Sequence, residues 1–358
     1  MNEAGFDFAI FGSTPMAQLL AGLLSSEHGR KVVLVGQNRS GYRLPRGLDL
    51  SVAPITRPHS WALLAGTSAE TARLVTRIAG RNALSRVDPV FFAEDPRAGE
   101  ALSHMKHMAV GFGIAAEPVG QSVLGGNRSG MVLRDALRLN RPQLEAGLER
   151  WLKDCSVHRL VPQAVTVGND GAASIEIKGT TVRARQAVLA DDEAIIGWLP
   201  LRQWPTLFQR SQHTSILTTP TRPLAAAIML ELDRGLFLTQ QAEGGVAAFG
   251  PGEMSAFSEH LQSLLGQNRQ VEQAGQTGYP ALATKDGAPA FGRVAGLGAD
   301  IVANTGCYGA LIAPAIARWL TGRATADEAR WFEQHLVNRT GSEQPVDEFH
   351  WPVGGRAA

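Results

Sequence analysis

The chain has 358 residues, 44% hydrophobic and 19% charged, and a formal net charge of +1; single cores stop growing near ~250–300 residues, so two lobes are expected. The balance of 34 Lys and Arg against 33 Asp and Glu leaves no electrostatic footprint for nucleic acid. Cys155 and Cys307 give neither a disulfide framework nor metal-ligand spacing, no run of about 18 apolar residues could span a bilayer, and Met1-Asn2-Glu3-Ala4-Gly5 lacks the basic start and cleavage site of a signal peptide, so a cytoplasmic protein is expected.

Residues 6–11 form an apolar run that ends at Gly12-Ser13-Thr14-Pro15-Met16-Ala17, and Leu19, Leu20, Leu23 and Leu24 then recur at helical spacing. Residues 31–35 read as a second buried strand, giving strand, turn, helix and strand within about 30 residues, the topology of a dinucleotide-binding unit. Its Gly-x-Gly-x-x-Gly fingerprint keeps Gly12, replaces the second glycine by Thr14 and the third by Ala17. The second glycine normally lets a pyrophosphate approach the backbone, so Thr14 crowds it unless its hydroxyl becomes a ligand. Where an acidic residue would hold the ribose hydroxyls stand Gly36 and Gln37. The candidate binding residues here are Gly12, Ser13, Thr14, Pro15, Met16, Ala17, Gly36 and Gln37, and a Rossmann unit that binds no nucleotide stays open beside them.

Residues 37–58 are polar and rich in Gly and Pro, with Arg39, Arg43, Arg46 and Arg57. Helical periodicity follows over 61–81 and again over 99–113, where His104 and His107 share a face with no third ligand, so no metal is expected. A helix over 143–153 precedes strands at 157–161, 165–167, 174–178 and 181–190. The second lobe carries expected strands at 215–219, 225–232, 236–240 and 246–249 and a helix over 254–265. Near the C-terminus a short strand feeds Thr305-Gly306-Cys307-Tyr308-Gly309, and that turn opens into an apolar helix with Ile312, Ile316, Trp319 and Leu320. Free N–H groups of this helix point beyond the strand's end. Residues 324–358 are a polar tail with one expected helix over 327–337 and a His350-Trp351-Pro352 stretch.

The closing segment resembles that of the D-amino-acid oxidase/glycine oxidase family of FAD-dependent oxidoreductases. Asp286, Gly287, Pro289 and Gly292 match its Asp-Gly-x-Pro-x-x-Gly element, Thr305 and Gly306 its Thr-Gly turn, and Gly309, Ala313 and Pro314 the helix that follows. With the N-terminal unit, the resemblance runs over residues 6–322. It implies an α/β fold: a Rossmann-like FAD-binding domain from residues 1–60, 140–200 and 285–325, an inserted α+β substrate domain on a mixed antiparallel sheet from 61–139 and 201–284, and a tail over 326–358. It also implies FAD as cofactor and hydride transfer from a small C–N substrate, the flavin doing the chemistry. In this frame Gly306, Cys307, Tyr308 and Gly309 face the flavin, their N–H groups stabilising its reduced form, while Arg43 and Arg46 neutralise the pyrophosphate and His59 is a conceivable flavin neighbour.

The sequence departs from the family's pattern at Thr14, at Gly36, at the strand end Ala190-Asp191-Asp192 in place of Ala-Ala-Gly, and near Ala281, where amino-acid-oxidising relatives place a carboxylate-clamping arginine. A carboxylate at 192 would repel a nearby pyrophosphate, and the Gly306–Gly309 turn is about two residues shorter than its counterpart. These departures carry an alternative: a catalytically silent relative acting as a subunit or scaffold with a protein partner, FAD weak or absent. No catalytic acid or base is identified, and fold alone does not choose between the two.

Overall fold

A computed structural model of the chain describes residues 5–36, 43–266 and 271–339. It opens with β1 (Gly5–Phe11), α1 (Pro15–Ser26) and β2 (Val32–Val35), followed by α2 (Pro58–Ala79). Five short strands come next, interleaved with two helices: β3 (Leu84–Val87), β4 (Val90–Ala93), α3 (Pro96–Gly111), β5 (Ala116–Val119), α4 (Gln121–Leu124), β6 (Ser129–Leu133) and β7 (Ala136–Leu139). The chain returns through α5 (Arg141–Asp154), β8 (His158–Leu160), β9 (Ala164–Val167), β10 (Ala173–Ile177), β11 (Thr180–Leu189) and α6 (Asp192–Trp198). It then builds β12 (Phe208–Thr218), β13 (Ile228–Glu231), β14 (Leu236–Gln240), β15 (Val246–Pro251), α7 (Met254–Leu265) and β16 (Gln273–Thr284), and closes with β17 (Ala290–Arg293), β18 (Asp300–Ala303), α8 (Ala313–Leu320) and α9 (Ala326–Gln334).

The first sheet runs β17-β18-β11-β1-β2-β8, with β10 and β9 added as an antiparallel extension of β11. Its central strands are parallel, in register Phe11 with Leu189 on one side and with Val35 on the other. Both faces are covered, which is why Val32 to Val35 can be apolar at every position. Phe8 and Ile10 pack toward α1, α2 and α8, while Ala9 and Phe11 pack on the opposite face with Ile175 and Ile195.

The second sheet runs β16-β12-β15-β14-β13-β4-β6-β5, antiparallel except where β13 lies parallel to β4. Apolar side chains of α7, Phe257, Leu261 and Leu265, cover one face of it beside Ile216, Leu236 and Leu238. β12 begins at Phe208, seven residues before its expected start at 215, because Gln209 to Thr214 is too polar to show as an apolar run. The helix expected directly after the Gly306 turn begins only at Ala313, after a 3-10 stretch over Gly306–Ile312. Pro314, which has no N–H, is tolerated only in the first turn of a helix. Among the described residues no helix is long and apolar enough to cross a membrane, and no cluster of His, Cys, Asp and Glu could hold a metal.

Candidate functional site

At β1 the sheet changes direction: α1 carries the chain to β2 on one side, while β11 and β18 stack on the other. Open α/β sheets bind ligands in the crevice that such a switch opens beyond the strands' carboxyl ends. A cavity of about 230 Å³ lies there, with Gly12, Ser13, Gly36, Asp191, Glu193 and Trp198 in its wall. α1 starts at its edge; Thr14 is the N-cap, its hydroxyl accepting from Ala17 N–H at 3.3 Å, and Pro15 opens the helix.

The anion position at this helix N-terminus is filled from within the chain. Asp191 Oδ2 accepts from the N–H groups of Ser13 (2.7 Å) and Thr14 (3.3 Å), and Oδ1 accepts from Ala194 N–H (2.8 Å), capping α6. One carboxylate thus bridges two helix N-termini, where the helix dipole favours negative charge. Asp191 is 8% exposed, and burial raises its pKa against the pull of those three donors. Its neighbour Asp192 faces the other lobe, accepting from Leu282 N–H at 3.0 Å, and burial pushes it up to about 6. The repulsion expected of residue 192 belongs instead to residue 191, the carboxylate that reaches α1.

Close packing explains the two glycines. A Cβ on Gly12, whose φ is 157°, would come within 2.9 Å of Asp191 Oδ2 and 2.7 Å of the Ala17 side chain. A Cβ on Gly36 would run into the Gly12 carbonyl, so the strand ends meet where an acidic ribose ligand would be placed. Two residues that the sequence did not single out secure this contact. Gln18, fully buried, donates to Ser13 C=O (3.0 Å), and Arg159 donates to Gln18 Oε1 (3.1 Å) and Gly36 C=O (3.2 Å). The signal for Gln18 is an amide beside the leucines of an apolar helix; Arg159 gives none.

The two candidate arginines part company. Arg43 forms a two-pronged pair with Glu193 (2.7 and 3.2 Å) at the cavity wall. Arg46 instead lies over the Tyr279 ring, 4.4 Å from its centroid, on the second sheet. Gln37 lies outside the described residues, and so does His350-Trp351-Pro352. His59 is exposed at the start of α2.

The Gly306–Gly309 turn is brought against the start of α1, where the Cβ position of Gly309 lies 3.6 Å from Met16 Cγ. Its side chains are covered: Cys307 is 4% and Tyr308 1% exposed. Leu50 N–H donates to Cys307 C=O at 2.7 Å, and Cys307 Sγ contacts Val52 C=O at 3.5 Å. Burial pushes the Cys307 thiol up to about 12, so it packs as a small apolar group. On the second sheet, His213, Ser215 and Tyr279 share one side of the β12–β16 pair, by strand alternation and register, against the segment of Pro45 and Arg46. Ser215 donates to Pro45 C=O (2.7 Å), and desolvation pushes His213 down to about 4, leaving it neutral.

No protein-family model and no curated protein matches the chain. Solved structures do. L-proline dehydrogenase from P. horikoshii superposes with a TM-score of 0.69 at 13% identity, covering 93% of this chain and 97% of that one. Glycine oxidase from Geobacillus kaustophilus gives 0.67 at 14% identity over 94% and 99% of the two chains. Iminodiacetate oxidase from Chelativorans sp. BNC1 gives 0.64 at 17% identity over 88% and 94%. The fold is therefore that of the D-amino-acid-oxidase type of FAD-dependent oxidases and dehydrogenases, followed almost end to end. With Asp191 in place, however, the residues do not receive an FAD diphosphate: the Ser13 and Thr14 amides are taken, Gly36 offers the ribose no carboxylate, and Arg43 is already neutralised.

Proposed function

We propose that the chain is an FAD-dependent oxidoreductase of the amino-acid and amine oxidising type, acting on a small C–N substrate. The observation that carries this reading is the N-terminus of α1 set at the switch point of the sheet, an anion seat that Asp191 would have to vacate for a cofactor. The whole-length likeness to oxidases and dehydrogenases supports it. Flavin, when bound, supplies the electron acceptor. The chain's own part is to bind and orient. His213 offers a neutral imidazole on the second sheet, and Arg46, stacked over Tyr279, is the guanidinium we assign to a substrate carboxylate.

A second reading is favoured by the same carboxylate: a silent relative that serves as a subunit beside a flavin-bearing partner. One preparation separates the two. The first reading expects purified protein, after incubation with FAD, to carry a visible flavin band that acid or heat releases and that an amine or amino acid bleaches. Colourless protein that takes up no FAD and leaves a pull-down together with a flavoprotein supports the second.

A further inference from the structure

We infer that Asp191 is an internal stand-in for the cofactor's diphosphate, a side chain that occupies the anion seat of α1 and must leave it before a dinucleotide can bind. The inference rests on the reading just proposed. Three observations carry it. The carboxylate accepts from two successive amides at the start of a 12-residue helix, the donors that a phosphate group would use. It sits in the wall of a cavity of about 230 Å³, below the ~300–1,000 Å³ that ligand clefts usually enclose, so a dinucleotide needs the wall to move. Finally, Asp191 Oδ2 lies 2.9 Å from the position that a Cβ added to Gly12 would take, so the carboxylate itself fills the space beside the Gly12 backbone at the helix start.

Burial raises the carboxyl pKa despite three backbone donors, which means that ionised Asp191 is only partly compensated where it lies. Arg43 is near enough to feel the charge of Asp191 and is paired with Glu193 at the cavity wall.

Asp191→Ser tests the inference, because serine keeps an N-cap oxygen for Ala194 N–H yet is too short and uncharged to reach Ser13 and Thr14. Binding of inorganic pyrophosphate and of FAD is measured by calorimetry on full-length wild type and variant, with far-UV circular dichroism confirming the fold. The expected result is affinity for both probes on the order of tenfold tighter in the variant, the scale of regained charge-assisted hydrogen bonds. If Asp191→Ser does not fold, Asp191→Asn keeps the size and the cap and shows a smaller gain. A folded variant with unchanged pyrophosphate affinity overturns the inference. Tighter pyrophosphate without any FAD binding sustains the stand-in and sinks the flavin reading. Wild type purified with a full complement of FAD that Asp191→Ser leaves unchanged does the reverse.

Discussion

Asp191 and Gly12 constrain each other, since the carboxylate that closes on α1 passes through the space a side chain at 12 would need. Gly12→Ala should cost about 1–3 kcal/mol, from positive-φ strain and displacement of the carboxylate. In the Asp191→Ser background the cost should shrink, and a double-mutant cycle by urea unfolding reads the coupling directly; strict additivity would show that the two groups do not meet. Gly36→Glu, which the sequence alone recommends as a repair of the ribose contact, should instead lower the melting temperature and leave FAD affinity no better, because its Cβ collides with the Gly12 carbonyl. Asp192 gives a pH signature. Its folded pKa of about 6 exceeds the unfolded ~3.9, so the folded state binds the extra proton. Stability from this group therefore rises as pH falls from about 7 to 4. Asp192→Asn should raise the melting temperature more at pH ~8 than at pH ~4.5, on either side of that titration; equal shifts at both would remove Asp192 as the cause.

Elements with a full helical period are legible in the amino-acid pattern. The 254–265 expectation coincides with α7, and 61–81 overlaps α2 within three residues at either end. Strands β3 to β7 are not legible there, because runs of four or five residues such as Val90-Phe91-Phe92-Ala93 are too short to show a period. The same limit applies to the site. The turn from Gly12 to Ala17 declares itself locally, but its occupant comes from 178 residues away, and Gln18 and Arg159 complete the network across 141. Local pattern carries no trace of such a contact. Helix packing offers a further test. Arg318 of α8 reaches Glu70 of α2 (2.9 Å) and Glu328 of α9 (2.6 Å), and Glu328 also closes a capping box with Thr325. Thr325→Ala should cost about 1 kcal/mol. Arg318→Leu should cost more, about 1–3 kcal/mol, since it strands a mostly buried Glu328 without its cation. Equal losses from the two changes would show that Arg318 is only a surface charge.

At the scale of the molecule, both large sheets are assembled from distant parts of the chain. β1 pairs with β11, which in turn pairs with β18, and the second sheet is joined across its middle by β13 lying against β4. That parallel seam has a consequence for how the protein is made. While a ribosome is still short of residue 228, Val90-Phe91-Phe92-Ala93 has no neighbour on one edge, and four fully buried apolar side chains wait in the nascent chain. The first sheet waits longer, for Asp300 to Ala303. Folding is thus dominated by pairings of high sequence separation and completes only after synthesis is nearly over. Chains released before β18 should therefore be captured by chaperones or aggregate rather than persist as a stable N-terminal lobe, which arrested-ribosome proteolysis at successive lengths would reveal as protection appearing in one late step.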